Sequence, residues 1–178
     1  AHGGAAILSD KYKHFLIGSE LADSIVIDFH KMLMTPGLNT LILFKNAKKS
    51  WATFAQKASY LLSENEEQDW YNFAKRTMEC TKSMMGLNVY VQLLLGGKAL
   101  FAENIDRLYG LARQFAEMCK KFKYIELAMD PDANIVCFRF NNNRSENLNE
   151  INRRIRSSLL ESGEFYIVQT ELKGKLFL

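Results

Sequence analysis

Short apolar runs separated by polar segments predict the elements of the first third of the chain. Residues 25–27 (Ile-Val-Ile) form a continuous β-branched run that is bounded by polar residues. Such a run is typical of a strand that is buried on both faces of a parallel sheet. A turn signal follows at residues 35–37 (Thr-Pro-Gly), and residues 38–44 predict a second buried strand. The pattern therefore predicts two sheet strands on either side of a turn that contains Lys31.

The middle of the chain predicts helices. Residues 75–95 are apolar on nearly all sides of a helix, which indicates burial between layers or subunits. The glycine pair 96–97 then marks a domain boundary. After it, apolar residues recur in steps of four and three, the pattern of a one-sided amphipathic helix. The members of this apolar face are Phe101, Ile105, Leu108, Ala112, Phe115, Cys119 and Phe122.

The remainder of the chain alternates strands and one further helix. Residues 124–127 and 135–140 predict strands, and residues 165–170 and 175–178 predict two more. A helix between them has Leu148, Ile151, Ile155 and Leu159 on its core face, and Gly163 follows as its cap. This order predicts a small α+β domain.

Composition and charge exclude several classes of protein. The 178 residues are 48% hydrophobic and 24% charged, which is ordinary globular composition. The net charge of +3 is too small to indicate a nucleic-acid partner. No apolar run approaches the length of about eighteen residues that a membrane span needs, and no signal-peptide pattern begins the chain. The three cysteines lack metal-ligand spacing, so we expect reduced thiols, no metal site and a cytoplasmic location.

The residues after the first strand carry the chemistry. Asp28, His30 and Lys31 lie at its carboxyl end, where open α/β sheets place their ligands. A lysine between apolar neighbours can be partly desolvated, which favours the free amine and makes it a nucleophile. The alternative is a solvated lysine without a function, as most lysines at strand ends are.

A resemblance to a known family bears on this choice. The order Ala-Asp-Ser (22–24), an apolar strand, then Asp-x-His-Lys-Met (28–32) resembles the cofactor-lysine segment of the group II pyridoxal-phosphate decarboxylases. That family includes the glutamate, aromatic-amino-acid, histidine and 2,4-diaminobutyrate decarboxylases. The resemblance continues in family order through residues 1–4, 101–106, 134–140 and 174–178.

The resemblance implies a fold, an activity and a partner. The fold is α/β, of the pyridoxal-phosphate-dependent transferase-like type (fold type I). Residues 1–97 would be the end of the large cofactor-binding domain, and residues 98–178 the small α+β C-terminal domain. The implied activity is decarboxylation of an L-amino acid to an amine and carbon dioxide. The implied cofactor is pyridoxal 5'-phosphate, in a homodimer whose sites combine residues of both subunits.

The same resemblance assigns roles to residues near the strand end. Lys31 would be the Schiff-base lysine, and His30 would lie by the cofactor's phosphate, the alternative being a structural histidine that caps the strand. Asp28 replaces what is often an asparagine. Because a phosphate would repel its carboxylate, we expect Asp28 to be oriented away or hydrogen-bonded. Ala1 matches the small residue that packs on the pyridine ring.

Two further residues are matched in less regular segments. Residues 60–73 are acidic without periodicity, which alone indicates a solvated loop. In the family a mobile loop lies here, and Tyr60 matches the tyrosine that protonates the substrate carbon after carbon dioxide leaves; the alternative is an aromatic anchor at the loop edge. Thr81 stands where relatives often have glycine, in a segment that reaches the partner's phosphate. Its alternative is an ordinary residue in the first turn of a helix.

The resemblance also implies how much of the enzyme this sequence covers and which substrate the enzyme takes. Two family residues have no counterpart, an aspartate two residues before Ala1 and an arginine directly after Leu178. We therefore expect an internal piece of a longer enzyme, inactive alone. Alternatives to the decarboxylase are an inactive remnant that serves dimerisation or regulation, and an aldehyde-forming relative. Residues 95–106 and 145–178 look nearest to the bacterial diaminobutyrate or glutamate type.

Overall fold

The computed structural model describes residues 2–54, 76–79, 82–144 and 146–178. Three short 3-10 helices come first, at His2–Leu8, Lys13–Leu16 and Ser19–Leu21. The remaining elements are β1 (Ser24–Asp28), β2 (Thr40–Phe44), α1 (Ala47–Phe54), α2 (Gly86–Lys120), β3 (Ile125–Leu127), β4 (Phe138–Phe140), α3 (Leu148–Ser162), β5 (Thr170–Leu172) and β6 (Lys175–Phe177).

The strands on either side of the lysine turn form as predicted, but their pairing and burial differ. β1 and β2 are antiparallel, with Val26 opposite Ile42 and Ile27 opposite Leu41. The prediction of a parallel sheet was therefore wrong for this pair, because the chain turns straight back after β1 without a crossover helix. The prediction that both faces of these strands are buried was also wrong. In β1, Ile27 is buried and Val26 is exposed, because successive side chains point to opposite faces of the sheet. In β2, Leu41 and Ile42 are both exposed.

Helix α2 begins later than predicted but is interrupted where the sequence predicts. It begins at Gly86 rather than at residue 75, and it consists of two helical segments that meet at Gly97, whose backbone is not helical (φ 61°, ψ −169°), so the first segment ends at the predicted glycine pair. The described residues between 76 and 85 are not α-helical. There the Thr77 hydroxyl donates to the Glu79 carbonyl at 2.6 Å, a local bond that competes with helix formation.

The apolar face of α2 after the bend was predicted in part. Phe101, Ile105, Ala112 and Cys119 are buried, as expected. Phe115 and Phe122, in contrast, are exposed, and that part of the prediction was wrong. The buried positions follow a face that includes Tyr109 and Ala116, which the sequence pattern missed.

The chain divides into two compact units, Ala1–Ile105 and Asp106–Leu178. The domain boundary predicted after residue 97 falls at the bend of α2, and as a functional boundary it stays a proposal. In the described part of the chain, no helix has the length and apolar character that crossing a membrane requires.

The second unit contains the remaining strands and α3. β3 pairs antiparallel with β4, and β5 with β6. The backbones of Phe138 and Leu178 exchange hydrogen bonds of 3.1 and 2.8 Å, which connects β4 to the end of the chain. Gly163 caps α3 in the left-handed conformation (φ 72°), as predicted. Residues 165–169 are not a strand, so that prediction was wrong; the strand there is confined to Thr170–Leu172.

Candidate active site

Lys31 lies in a tight turn directly after β1. The Phe29 amide donates to the Asn39 carbonyl at 2.9 Å, which extends the β1–β2 pairing past the end of both strands. The Thr35 amide donates to the Phe29 carbonyl at 3.0 Å, and the Met34 amide to the Lys31 carbonyl at 2.9 Å. Met34 has a φ of 56°, a left-handed conformation that a residue with a side chain seldom adopts. The lysine is therefore held in a fixed and locally strained turn.

The Lys31 amine is paired with the carboxylate that precedes it. Lys31 Nζ lies 2.7 Å from Asp28 Oδ2, with 43% of the lysine side chain and 15% of the aspartate side chain exposed. The Thr40 hydroxyl donates to the other carboxylate oxygen at 3.0 Å. The hydrogen bond from Lys31, followed by that from Thr40, lowers the pKa of Asp28 from 3.8 to about 2. Asp28 is thus ionised near neutral pH and hydrogen-bonded, in agreement with the expectation that it is not free to face an anion.

His30 is held by the backbone of Asn39, the residue before β2. Its Nδ1 lies 2.9 Å from the Asn39 carbonyl oxygen and 3.1 Å from the Asn39 amide nitrogen. Either tautomer therefore keeps a partner at Nδ1, and Nε2 is the ring nitrogen left for another group. The Asn39 side chain in turn donates to the Met85 carbonyl at 2.6 Å, just before α2 begins.

Amide side chains of α2 hold the turn from the other side, and sequence reasoning missed them. Gln92 accepts from the Thr35 hydroxyl at 2.7 Å and donates to the Met34 carbonyl at 3.1 Å. Asn104 donates to the Met32 carbonyl at 2.8 Å. A signal was available, since Gln92 is an amide within an otherwise apolar part of the helix. Its partner, more than fifty residues earlier in the chain, was not visible.

Gly4, near the start of the chain, packs closely against β1. Gly4 lies so close to the strand that a Cβ built on it would stand 2.8 Å from Cγ1 of Ile27. Glycine, which has no Cβ, permits this close approach of the chain to the Ile27 side chain. Gly3, its neighbour, has nothing within 4 Å of the equivalent position.

Three predicted site residues, Ala1, Tyr60 and Thr81, lie outside the described residues. Of the other predicted residues, the structure pairs Lys31 with Asp28 and binds the His30 ring to the backbone of Asn39. Among the residues that it describes, no cluster of three or more metal-ligating side chains occurs.

Comparison with known proteins identifies the family. Residues 1–141 match the pyridoxal-dependent decarboxylase conserved domain. The aromatic-L-amino-acid decarboxylase of Bacillus atrophaeus is 29% identical over 182 residues, covering 100% of this chain and 38% of that protein. The L-2,4-diaminobutyrate decarboxylase of Acinetobacter baumannii is 29% identical over 175 residues, covering 97% and 34%. Among solved structures, Catharanthus roseus tryptophan decarboxylase in complex with L-tryptophan has a TM-score of 0.84 at 21% identity, covering 99% of this chain and 36% of that one.

The chain belongs to the pyridoxal-dependent decarboxylase family, because the family's domain matches most of its residues. The predicted family is thus confirmed, and so is the predicted fold class, α/β of fold type I. The chain spans 38% and 34% of the two curated relatives. Those relatives carry different substrates in their names and match at the same identity, so the predicted diaminobutyrate or glutamate type is not favoured over the aromatic type.

The described residues fit the aldehyde end of pyridoxal phosphate. Lys31 offers a primary amine, partly exposed, on a turn whose backbone is fixed. His30 offers a ring nitrogen beside it. Asp28 would repel a phosphate, but its two oxygens are engaged by Lys31 and Thr40. The donor set thus suits a covalently held aldehyde with its phosphate placed away from Asp28.

Proposed function

We propose that the protein decarboxylates an L-amino acid to an amine and carbon dioxide, with pyridoxal 5'-phosphate held by Lys31. The observation that carries this proposal is the match of residues 1–141 to the family's conserved domain. Lys31 supports it as a partly exposed primary amine on a hydrogen-bonded turn. When bound, the cofactor supplies an electron sink for the pair that remains on the substrate's α-carbon as carbon dioxide leaves.

Lys31 has two tasks in this proposal. Its Nζ would hold the aldehyde carbon of the cofactor until the substrate's amine takes that place. After its release, Lys31 would donate a hydrogen bond to Asp28 Oδ2, which lies 2.7 Å from Nζ. Thr40 keeps the carboxylate in place for this role.

The other predicted residues complete the proposal. His30 would donate from Nε2 to the cofactor's phosphate, since the backbone of Asn39 occupies Nδ1. Tyr60 would protonate the α-carbon, Ala1 would pack on the pyridine ring, and Thr81 would contact the phosphate of the partner's site. These last three roles are supported by the sequence resemblance.

We also propose a homodimer in the cytoplasm. The part of α2 before Gly97 exposes several large apolar side chains, and Leu95 is 82% exposed. A second copy of the chain would cover them, as their number favours an interface. The other exposed residues of this face are Leu87, Tyr90, Val91, Leu93 and Leu94. Among the described cysteines, Cys119 and Cys137 are free thiols, which supports a reducing compartment.

The activity is tested on the full protein with added pyridoxal phosphate. Carbon dioxide and amine are measured with an aromatic amino acid, 2,4-diaminobutyrate and glutamate, for the wild type, Lys31→Ala and Lys13→Ala. Lys13 is the matched control because it pairs with Asp10 in the same i,i+3 relationship, at 2.8 Å. We expect the wild type and Lys13→Ala to release carbon dioxide and amine from one of these substrate classes. Lys31→Ala should release neither. An aldehyde in place of the amine, or cofactor binding without release, would contradict the proposal.

A further inference from the structure

We propose that Gln92 and Thr35 are positioning residues for Lys31: the Gln92 side chain, bound to the Thr35 hydroxyl and the Met34 carbonyl, fixes the turn that places the lysine amine. This inference deepens the proposed function and rests on it only for the cofactor's part. All the residues concerned lie within the first compact unit.

Gln92 makes two hydrogen bonds to the turn that contains Lys31. Gln92 Oε1 accepts from the Thr35 hydroxyl at 2.7 Å, and Gln92 Nε2 donates to the Met34 carbonyl at 3.1 Å. One amide therefore satisfies a side chain and the adjacent backbone carbonyl. Thr35 is 3% exposed, so its hydroxyl would lose a partner without access to much water if Gln92 were removed.

These bonds stabilise an unusual backbone conformation at Met34. Met34 adopts a left-handed φ of 56°, and its amide donates back to the Lys31 carbonyl at 2.9 Å. A non-glycine residue in this region relaxes towards other conformations unless its surroundings hold it. Gln92 forms hydrogen bonds with Met34 and with Thr35, the residue after it. They therefore act on the strained part of the turn, three positions from the lysine.

Side chains of α2 on both sides of its bend at Gly97 bind the turn. Gln92 precedes Gly97, and Asn104 follows it and donates to the Met32 carbonyl at 2.8 Å. Met32, which Asn104 binds, is the residue directly after Lys31. The two amides thus restrain the turn at two separate carbonyls, which fixes the backbone from which the Lys31 side chain reaches Asp28.

This arrangement predicts opposite effects on two reactions of the lysine. A released turn frees the amine from Asp28, so a small acylating reagent reacts with Lys31 faster. Attachment of pyridoxal phosphate needs a defined orientation, so the same release makes it slower. A variant that merely loosened the whole fold would accelerate acylation of other lysines as well.

The experiment uses shape-conserving variants of the full protein. Thr35→Val removes the hydroxyl and keeps the volume, Thr35→Ser keeps the hydroxyl, and Gln92→Met removes both bonds. Gln114→Met is the matched control, because Gln114 is exposed on the same helix. Without cofactor, the acylation rate of Lys31 by acetyl-N-hydroxysuccinimide is measured by peptide mass spectrometry relative to that of Lys13. With pyridoxal phosphate, the rate of covalent attachment at Lys31 is measured after borohydride reduction.

We expect Thr35→Val and Gln92→Met to raise the acylation ratio of Lys31 to Lys13 about fivefold. We expect them to slow attachment of pyridoxal phosphate about tenfold. Thr35→Ser should resemble the wild type in both. An acylation ratio that stays within the range of Gln114→Met would overturn the proposal. A raised ratio in a protein that never attaches the cofactor would uphold the positioning role and defeat the proposed function instead.

Discussion

Lys31 Nζ lies 2.7 Å from Asp28 Oδ2, and the hydroxyl of Thr40 holds the second oxygen of the same carboxylate at 3.0 Å. This pairing has a consequence for stability in acid. The bonds lower the pKa of Asp28 from 3.8 to about 2 in the folded chain. A carboxyl group whose pKa is lower in the folded chain than in the unfolded chain stabilises the fold at pH values above its unfolded pKa. This stabilisation is lost as the pH falls towards its folded pKa.

We therefore predict that Asp28→Asn flattens the loss of stability between about pH 4 and pH 2. The wild type should lose this contribution as Asp28 is protonated, whereas the variant has no carboxylate to titrate there. The measurement is the urea midpoint of unfolding at a series of pH values. Asp132→Asn, at an exposed position, is the control and should keep the wild-type profile. Parallel profiles for wild type and Asp28→Asn would contradict the pairing.

Gly4→Ala should destabilise the protein, since the new Cβ would stand 2.8 Å from Ile27 Cγ1 on β1. Overpacking of this kind costs about 1–3 kcal/mol. The free energy of unfolding in urea measures it. Gly3→Ala is a matched control with nothing within 4 Å of its Cβ, and it should change the free energy of unfolding little.

The clash can be assigned to its partner by a double-mutant cycle. Ile27→Ala removes the atom that the new Cβ meets, so Gly4→Ala should cost less in that background than in the wild type. Equal costs in the two backgrounds would show that Gly4 is needed for another reason.

Glu126→Gln should destabilise the second unit. Glu126 accepts from Arg139 Nε at 2.8 Å, from Asn141 at 2.7 Å and from Lys175 at 3.1 Å, and the Arg139 side chain is only 6% exposed. Removing the negative charge leaves a buried guanidinium without its counter-charge, at a cost of about 2–4 kcal/mol. Chemical denaturation measures this cost, and Glu161→Gln on the exposed side of α3 should be near neutral.

The same cluster sets a pH dependence. Burial raises the pKa of Glu126, but the hydrogen bonds from Arg139, Lys175 and Asn141 outweigh it and hold the pKa below its usual value of 4.5. The cluster therefore stabilises the unit above about pH 4.5, and this stabilisation declines as the pH falls through the lowered value. Glu126→Gln should lack that decline.

Asn152→Leu tests the connection between α3 and β4. Asn152 is fully buried; it accepts from the Phe140 amide at 2.8 Å and donates to the Phe140 carbonyl at 2.9 Å. The substitution keeps the approximate volume but leaves both backbone groups unsatisfied, which should cost about 2–3 kcal/mol. Thermal unfolding of this variant, set against Ser157→Ala on the exposed face of α3, measures the effect. If Asn152→Leu melted at as high a temperature as Ser157→Ala, the stabilising role of the Asn152 hydrogen bonds would be contradicted.

The local parts of the site could be predicted from the sequence. Lys31 and its neighbours follow a β-branched run, and that run forms a strand whatever it pairs with. The direction of pairing could not be read in the same way, because it depends on how the chain returns between residues 29 and 39. The same holds for burial of β2, since an apolar run does not reveal which of its faces a neighbour covers.

The contacts that fix the lysine turn were beyond sequence reasoning for a different reason. Gln92 and Asn104 reach the turn from a helix far along the chain, and their partners are backbone carbonyls that any residue type supplies. Their side chains also lie on either side of a bend at Gly97 that the sequence marked only as a boundary. An amide among apolar residues signals a buried contact, but not its location.

The central claim is that Lys31 is the residue that holds pyridoxal phosphate. The most direct test mixes the full protein with pyridoxal phosphate, records the visible absorption spectrum, reduces with borohydride and maps the modified peptide by mass spectrometry. We predict a lysine-bound cofactor band in the wild type and in Lys13→Ala, a modification at Lys31 alone, and neither in Lys31→Ala. A band that persists in Lys31→Ala, or a modification at another lysine, would contradict the account.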